Sequence, residues 1–299
     1  MTRGDNRLRM EAAIQDQVED EPATLRCRAI FISDIHLGTV GCQAARLLEF
    51  LRTTDSDSLY LVGDVIDGWQ LKRRWYWHQT HNDVIQKVLR KARKGTKVTY
   101  IAGNHDEALR HVIGVAFGGI EIRAEAEHVT ADGRRMLVTH GDLFDAVVQQ
   151  ARWLAIVGDG LYVGSLKVNR WLNHLRARLG FPYWSLAQFL KERVKNAVSY
   201  ITRFEEALAH EARRRGFDGV ICGHIHKAEI RDVGGILYCN DGDWVESLTA
   251  LVEMHDGELR IIDWKAVEAL RTGAMKGEMA GAEAALPVTG GELANSAGH

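Results

Sequence analysis

Seven side chains able to bind metal ions lie in five short clusters along this chain. The clusters read Asp34-x-His36, Gly63-Asp64-x-x-Asp67, Gly103-Asn104-His105-Asp106, His140-Gly141-Asp142 and Gly223-His224-x-His226. The seven are Asp34, His36, Asp64, Asn104, His140, His224 and His226. Their mixture of imidazole, carboxylate and amide oxygen suits borderline divalent ions such as Mn, Fe, Zn or Co. No cysteine lies in the clusters, which argues against a thiolate site. Seven donors are too many for one tetrahedral zinc. They suit two ions sharing a bridging carboxylate, about 3.5–4 Å apart, an arrangement that clamps both the attacking and the leaving oxygen of a phosphoryl centre. Taken singly, each cluster reads more simply as a polar turn, since Gly, Asn and Asp favour turns. Five in succession, each after an apolar run, reverse that judgement.

The runs are the elements that must position the clusters. Ala29-Ile30-Phe31-Ile32, Leu59-Tyr60-Leu61-Val62, Val98-Thr99-Tyr100-Ile101, Met136-Leu137-Val138-Thr139 and Val220-Ile221-Cys222 each read as a buried strand. Each polar cluster then sits at a strand's C-terminal end, where open α/β sheets place their ligands. Helical patterning over Gln43–Arg52 and Asn82–Lys94 separates the first strands. After Gly216, strands are expected at 218–222, 228–233, 236–239, 248–254 and 258–264. The fold class is α/β, a two-layered β-sheet core flanked by helices.

The order D-x-H, G-D-x-x-D, G-N-H-D, H-G-D, G-H-x-H resembles the calcineurin-like metallophosphoesterase superfamily over roughly residues 28–264. The resemblance implies a four-layer α/β/β/α sandwich with a helical cap. It implies that Asp34, His36 and His226 hold one ion, that Asn104, His140 and His224 hold the other, and that Asp64 bridges them. His105 would act on the substrate phosphate, oriented by Asp67. The cofactor expected is a pair of divalent ions, manganese first, with Fe, Zn or Co as alternatives. Histidine ligands usually need an acceptor behind the ring, and Asp142 or Asp243 could serve. The expected chemistry is in-line attack by a metal-bridging hydroxide, with His105 stabilising charge or protonating the leaving oxygen.

A narrower resemblance lies in Gly63-Asp64-Val65-Ile66-Asp67-Gly68-Trp69, in the helical insertion after His140-Gly141-Asp142-Leu143-Phe144-Asp145, and in Asn240-Asp241-Gly242-Asp243-Trp244-Val245-Glu246-Ser247. These look like the UDP-2,3-diacylglucosamine pyrophosphatase-related branch, which implies hydrolysis of a pyrophosphate to UMP and a lipid 1-phosphate. The established pyrophosphatases carry Arg after Gly-Asn, where this chain carries His105. The departure implies a paralogous subgroup with the same core and its own lipid or nucleotide substrate.

Residues 145–216 break the strand–helix alternation. Leu161, Val168, Leu172, Leu175 and Leu179 repeat at helical spacing, as do Leu186, Leu190, Val194, Ala197, Ile201, Phe204 and Leu208. Trp153, Trp171, Phe181, Tyr183, Trp184 and Phe189 add aromatics. Twelve basic side chains stand against six acidic ones here, in a chain of net charge −2. Two readings stay open: helices packed on the sheet with a solvated charged face, or an apolar, basic-rimmed cap that holds acyl chains against an anionic membrane. Beside the Asp64 cluster, Lys72, Arg73, Arg74 and Trp75 are candidate substrate contacts, able to grip phosphate and stack on a base or sugar.

With 299 residues, 46% of them hydrophobic, the chain can bury a full core in one domain. The domain is expected over 25–271, with the insertion at 145–216, an N-terminal arm at 1–24 and a C-terminal tail at 272–299. Cys27, Cys42, Cys222 and Cys239 form no paired motif and read as reduced thiols. No apolar leader or membrane span is evident. The near-neutral charge gives no global field for nucleic acid, which is not an expected partner. The expectation is a hydrolase at the inner, cytoplasmic membrane surface, acting on an amphiphilic phosphate ester. A soluble nucleotide phosphodiesterase or nuclease with the same metal core is the alternative. A non-catalytic module on a decayed site conflicts with the intact donor set.

Overall fold

The computed structural model describes residues 25–147 and 186–272. The main unit, which ends at Ile262, is built on two sheets. The first has seven strands and contains β1 (Leu25–Ile32), β2 (Thr54–Val62), β3 (Lys97–Ile101), β4 (Ala116–Phe117), β5 (Ile120–Arg123), β11 (Thr249–Glu253) and β12 (Leu259–Asp263), in the order β12-β11-β1-β2-β3-β5-β4. The second has five, β6 (Ala126–Val129), β7 (Arg135–Val138), β8 (Gly219–Cys222), β9 (Glu229–Val233) and β10 (Ile236–Asn240), in the order β6-β7-β8-β10-β9. β1, β2 and β3 run parallel to one another, and so do β7, β8 and β10.

The central strands alternate between two apolar environments toward their C-terminal ends, which explains their unbroken hydrophobic runs. Ala29, Phe31, Tyr60, Val62 and Ile101 meet Met136, Val138, Ile221 and Cys239 across the gap between the sheets. The intervening residues face outward onto helices. Ile32 and Leu61 line one cavity with Leu47 and Leu51 of α1 (Ala44–Thr53) and Val84 and Val88 of α3 (Gln79–Arg93). On the other sheet, Leu137, Val220, Cys222 and Tyr238 pack against Phe204, Leu208, Ala209 and Ala212 of α4 (Leu186–Arg214). The layers are therefore helix, sheet, sheet, helix, as the resemblance implies.

The five strands after Gly216 and both early helices fall where the periodicity puts them. α3 begins three residues before the expected start because the His78 side chain accepts from Thr80 N–H and caps it. The hairpin β4–β5, turning through Gly118 and Gly119 with φ of +58° and +85°, is an addition: both strands are short, and β4 forms the sheet's edge with β5 between it and β3. α4 is one continuous 29-residue helix. Its Phe204 and Leu208 are buried against the sheet, so this part of the second stripe serves packing. The first stripe, the aromatics from Trp153 to Trp184, the arm and most of the tail lie outside the described residues. From Asp263 a separate segment begins, in which residues 264–272 form a helix and Asp263 accepts from Ala266 N–H at 3.1 Å. All four cysteines are free thiols, and burial pushes Cys27 up to about 11 and Cys239 up to about 12.

Candidate metal centre

Parallel strands direct their C-terminal ends to one edge, and there the loops turn sharply. Among the described residues, six other than glycine have positive φ: Asp34, His36, Asp64, His224, His226 and Leu248. Five of the six belong to the candidate ligand set. Left-handed backbone is unfavourable for side chains with a Cβ and concentrates at functional sites. Here it turns each side chain back toward the sheet edge. Two glycines permit the close approach: a Cβ on Gly103 would stand 2.3 Å from Asp64 Oδ1, and one on Gly223 2.1 Å from Ser33 Oγ.

The donor atoms converge in three overlapping groups, each with its atoms within 4.8 Å of one another: Asp34, His36 and His226; Asp64, His140 and His224; His36, Asp64 and His105. The first two match the sequence expectation. In the first, Asp34 Oδ1 lies 3.0 Å from His226 Nε2 and 3.7 Å from His36 Nε2. In the second, His140 donates from Nδ1 to the carbonyl of Val62 at 2.8 Å. That bond fixes the tautomer and leaves Nε2 facing Asp64 Oδ1 at 3.5 Å. Asp64 belongs to two of the groups, one with His140 and His224 and one with His36 and His105.

The donor set also fits a cation by what it leaves unsatisfied. Asp64 Oδ2, Asn104 Oδ1 and His140 Nε2 are buried and have no hydrogen-bond partner. Buried polar atoms are rarely left so, and all three are metal-type donors. The field agrees. Burial disfavours the charge on Asp64, but His140 beside it brings the carboxyl down to about 2. Burial also opposes protonation of His36 and His140; Asp34 and Asp67 nevertheless raise the first to about 9, and Asp64 raises the second to about 10. The carboxylates that raise these imidazoles give the pocket a field that favours positive charge, and a metal ion binding there would have to displace the protons.

Asp67 and His105 stand together at the rim. Asp67 Oδ1 caps α2 (Gly68–Arg73) by accepting from Gln70 N–H at 2.8 Å. Its Oδ2 faces both His36 Nδ1 at 3.2 Å and His105 Nδ1 at 3.0 Å. The acceptors behind His36, His105 and His140 are thus Asp67 and the Val62 carbonyl. Asp142 and Asp243, the sequence candidates, do other work: Asp142 pairs with Arg110 at 2.5 Å, and Asp243 caps the 243–247 turn through the amides of Val245, Glu246 and Ser247. Lys72, Arg73, Arg74 and Trp75 are exposed where α2 ends, with Trp75 75% exposed. The contacts of the described residues do not join them to the ligands. The ring that reaches the site is Trp69, whose centroid lies 4.2 Å from that of His105.

Sequence reasoning passed over Asp106, Ser33 and Asp241. Asp106 ties the loops after β2 and β3 by accepting from Val65 N–H at 2.9 Å, Gly103 N–H at 2.6 Å and Tyr100 OH at 2.6 Å. Its signal was its place at the end of G-N-H-D. Ser33 and Asp241 adjoin motif residues and carry no spacing signal of their own.

Nitrogen and oxygen donors gathered at the C-terminal ends of strands from both sheets could hold divalent cations. The model for the calcineurin-like phosphoesterase family matches residues 27–228, and the chain belongs to that family and is a hydrolase. It is 23% identical over 250 residues to the UDP-2,3-diacylglucosamine hydrolase of Neisseria meningitidis serogroup B, covering 77% of this chain and 95% of the relative. The enzyme of the same name from Photorhabdus laumondii is 23% identical over 225 residues, covering 68% and 84%. Among solved structures, an archaeal phosphodiesterase aligns over 78% of this chain and 98% of its own, at 15% identity and a TM-score of 0.39.

Proposed function

We propose that the chain hydrolyses a phosphoester or pyrophosphate bond in an amphiphilic substrate, a UDP-2,3-diacylglucosamine-like lipid nucleotide or a related phospholipid, using two divalent ions with manganese first. The observation that supports this most directly is the relatives' own name, carried on alignments that span 95% and 84% of their lengths. Asp34, His36 and His226 would hold one ion, Asn104, His140 and His224 the other, with Asp64 between. Such a pair lowers the pKa of water and neutralises phosphoryl oxygens when bound. The chain's own part is positional. The left-handed loops hold the carboxylates and imidazoles ready before substrate arrives. His105, with Nδ1 held by Asp67, presents Nε2 to the leaving oxygen and delivers a proton there. With the UDP-lipid, the products would be UMP and the lipid 1-phosphate.

No helix among the described residues is long and apolar enough to cross a membrane. The basic excess in residues 145–216 supports the inner, cytoplasmic face of an anionic membrane as the place of action, with about 1 kcal/mol of attraction per nearby Lys or Arg. Manganese-loaded protein should therefore turn over acylated UDP-glucosamine far faster than the same headgroup without chains. It should also sediment with anionic liposomes in a salt-sensitive manner, because salt screens surface charge. Equal turnover of deacylated substrate, without liposome binding, would give the site to a soluble nucleotide phosphodiesterase.

A further inference from the structure

Asp241 follows β10, is wholly buried and has no part in the chemistry above. Its Oδ1 lies 2.6 Å from Ser33 Oγ. The same hydroxyl lies 2.7 Å from Asp34 Oδ2 and 3.2 Å from the carbonyl of Gly242. Asp241 Oδ2 is buried without a hydrogen-bond partner. Three acceptor oxygens therefore surround a hydroxyl that carries one proton. Oxygen pairs at 2.6 and 2.7 Å are at hydrogen-bonding distance, and each needs a proton between its members. Ser33 supplies one. The other must come from a carboxyl.

Asp34 is the wrong source. Its Oδ2 already accepts the backbone N–H of His224 at 2.7 Å, and its Oδ1 faces His226 Nε2 at 3.0 Å. Oδ2 is thus already placed as an acceptor beside the Ser33 hydroxyl. The Asp241 carboxyl is wholly buried with Oδ2 unmatched, and burial, with Asp34 nearby, pushes it well above the usual carboxylate range despite the Ser33 hydroxyl and the more distant His140. A buried carboxylate with one oxygen unmatched costs far more than a neutral acid in the same place. The backbone there is built to hold the group. Asn240 Nδ2 donates to the Gly223 carbonyl at 2.7 Å, Asp241 N–H to the Cys222 carbonyl at 3.0 Å, and Thr249 Oγ1 to the Asp241 carbonyl at 2.8 Å.

We infer that Asp241 is a neutral carboxylic acid and a positioning residue: its proton goes to Ser33 Oγ, and Ser33 gives its own to Asp34 Oδ2. The chain of two hydrogen bonds fixes which face of the Asp34 carboxylate stays open, so that Oδ1 is turned to the candidate cation site. It ties the loop after β10 to the loop after β1. The inference rests on the proposed function only in taking Asp34 as a ligand; the proton itself is independent of any substrate.

The test separates a neutral donor from a carboxylate. An amide at 241 can donate to Ser33 as the acid does, whereas an alanine cannot. In infrared difference spectra of the full chain at neutral pH, Asp241→Asn should remove a carbonyl stretch of protonated carboxylic acid. In manganese titrations without substrate, Asp241→Asn should bind as the parent does. Asp241→Ala and Ser33→Ala should each weaken binding by about 10–100-fold, the usual effect of losing a group behind a metal ligand. The inference fails if no acid band is lost in Asp241→Asn, or if that variant weakens manganese binding as much as Asp241→Ala. Asp241→Asn changes little volume, so the spectrum remains decisive should the alanine variants not fold. Neither measurement uses a lipid or nucleotide, so a wrong substrate reading leaves the result untouched.

Discussion

Asp67 Oδ2 stands 3.0 Å from His105 Nδ1, and through this contact the orientation of the rim histidine depends on the N-terminus of α2. The same oxygen faces His36 Nδ1 at 3.2 Å, and the partner oxygen caps the helix. Asp67→Ala should therefore act twice. Losing the cap costs about 1 kcal/mol of stability. Releasing two imidazoles should lower kcat by about 10²-fold or more, since one is a candidate ligand and the other the candidate acid. Thermal unfolding and steady-state kinetics read the two effects separately. Unchanged kcat in the folded variant would remove Asp67 from the site.

His105 tests the division between ligand and acid. Its Nε2 lies 3.8 Å from Asp64 Oδ2, close enough to belong to one donor group. The proposed role sets it on the substrate side. His105→Ala should then keep its metal content and lose about 10²-fold or more in kcat. Metal loss in proportion to activity would instead make His105 a ligand.

Asp64 joins two of the donor groups and has a buried oxygen without a hydrogen-bond partner. Asp64→Ala should abolish turnover and leave less than a full pair of ions bound. Elemental analysis beside the parent decides this. A variant with two ions and parental turnover would contradict the bridging assignment.

The site was legible because each donor cluster follows a strand buried on both faces. Ile30 and Phe31 point to opposite apolar layers, so the run has no polar break until Ser33 and Asp34, and the same holds from Leu59 to Asp64. Order and spacing then pointed to side chains that the fold brings into common donor groups. What the sequence could not show is which carboxylates stand behind the rings. Asp142 and Asp243 are as close to a motif as Asp67, but their partners, Arg110 and the 243–247 amides, are fixed only in three dimensions. The hydroxyl of Ser33 shared with Asp241, 208 residues away, has no periodic signal at all. Lys72, Arg73, Arg74 and Trp75 lie close to the Asp64 cluster in sequence and are exposed where α2 ends, whereas Trp69 at the start of α2 is the ring beside His105.

Away from the metal centre, the two sheets share a buried polar contact whose protonation should shape acid stability. Glu253 on β11 accepts from Arg28 Nη1 at 2.9 and 2.7 Å and from Ala131 N–H at 2.7 Å, and lies 2.6 Å from His128 Nε2. Burial alone would raise its pKa; His128, the amide of Ala131 and Arg28 together bring it below its ordinary 4.5. A carboxyl whose folded pKa is depressed stabilises the fold fully above its unfolded pKa, and the stabilisation is lost as pH falls through the folded value. Glu253→Gln removes the charge and keeps the size. It should destabilise at neutral pH by about 1.5–3 kcal/mol, the worth of hydrogen bonds to a charged group. Both proteins should weaken in acid, because Asp34, Asp64 and Asp67 are also held down in the fold. The difference between them should hold from neutral pH to about pH 5 and close below about pH 4.5. Urea unfolding of parent and variant across that range measures it. Curves that stay parallel into acid would show that the charge on Glu253 contributes nothing to the fold and that its contacts act only through packing.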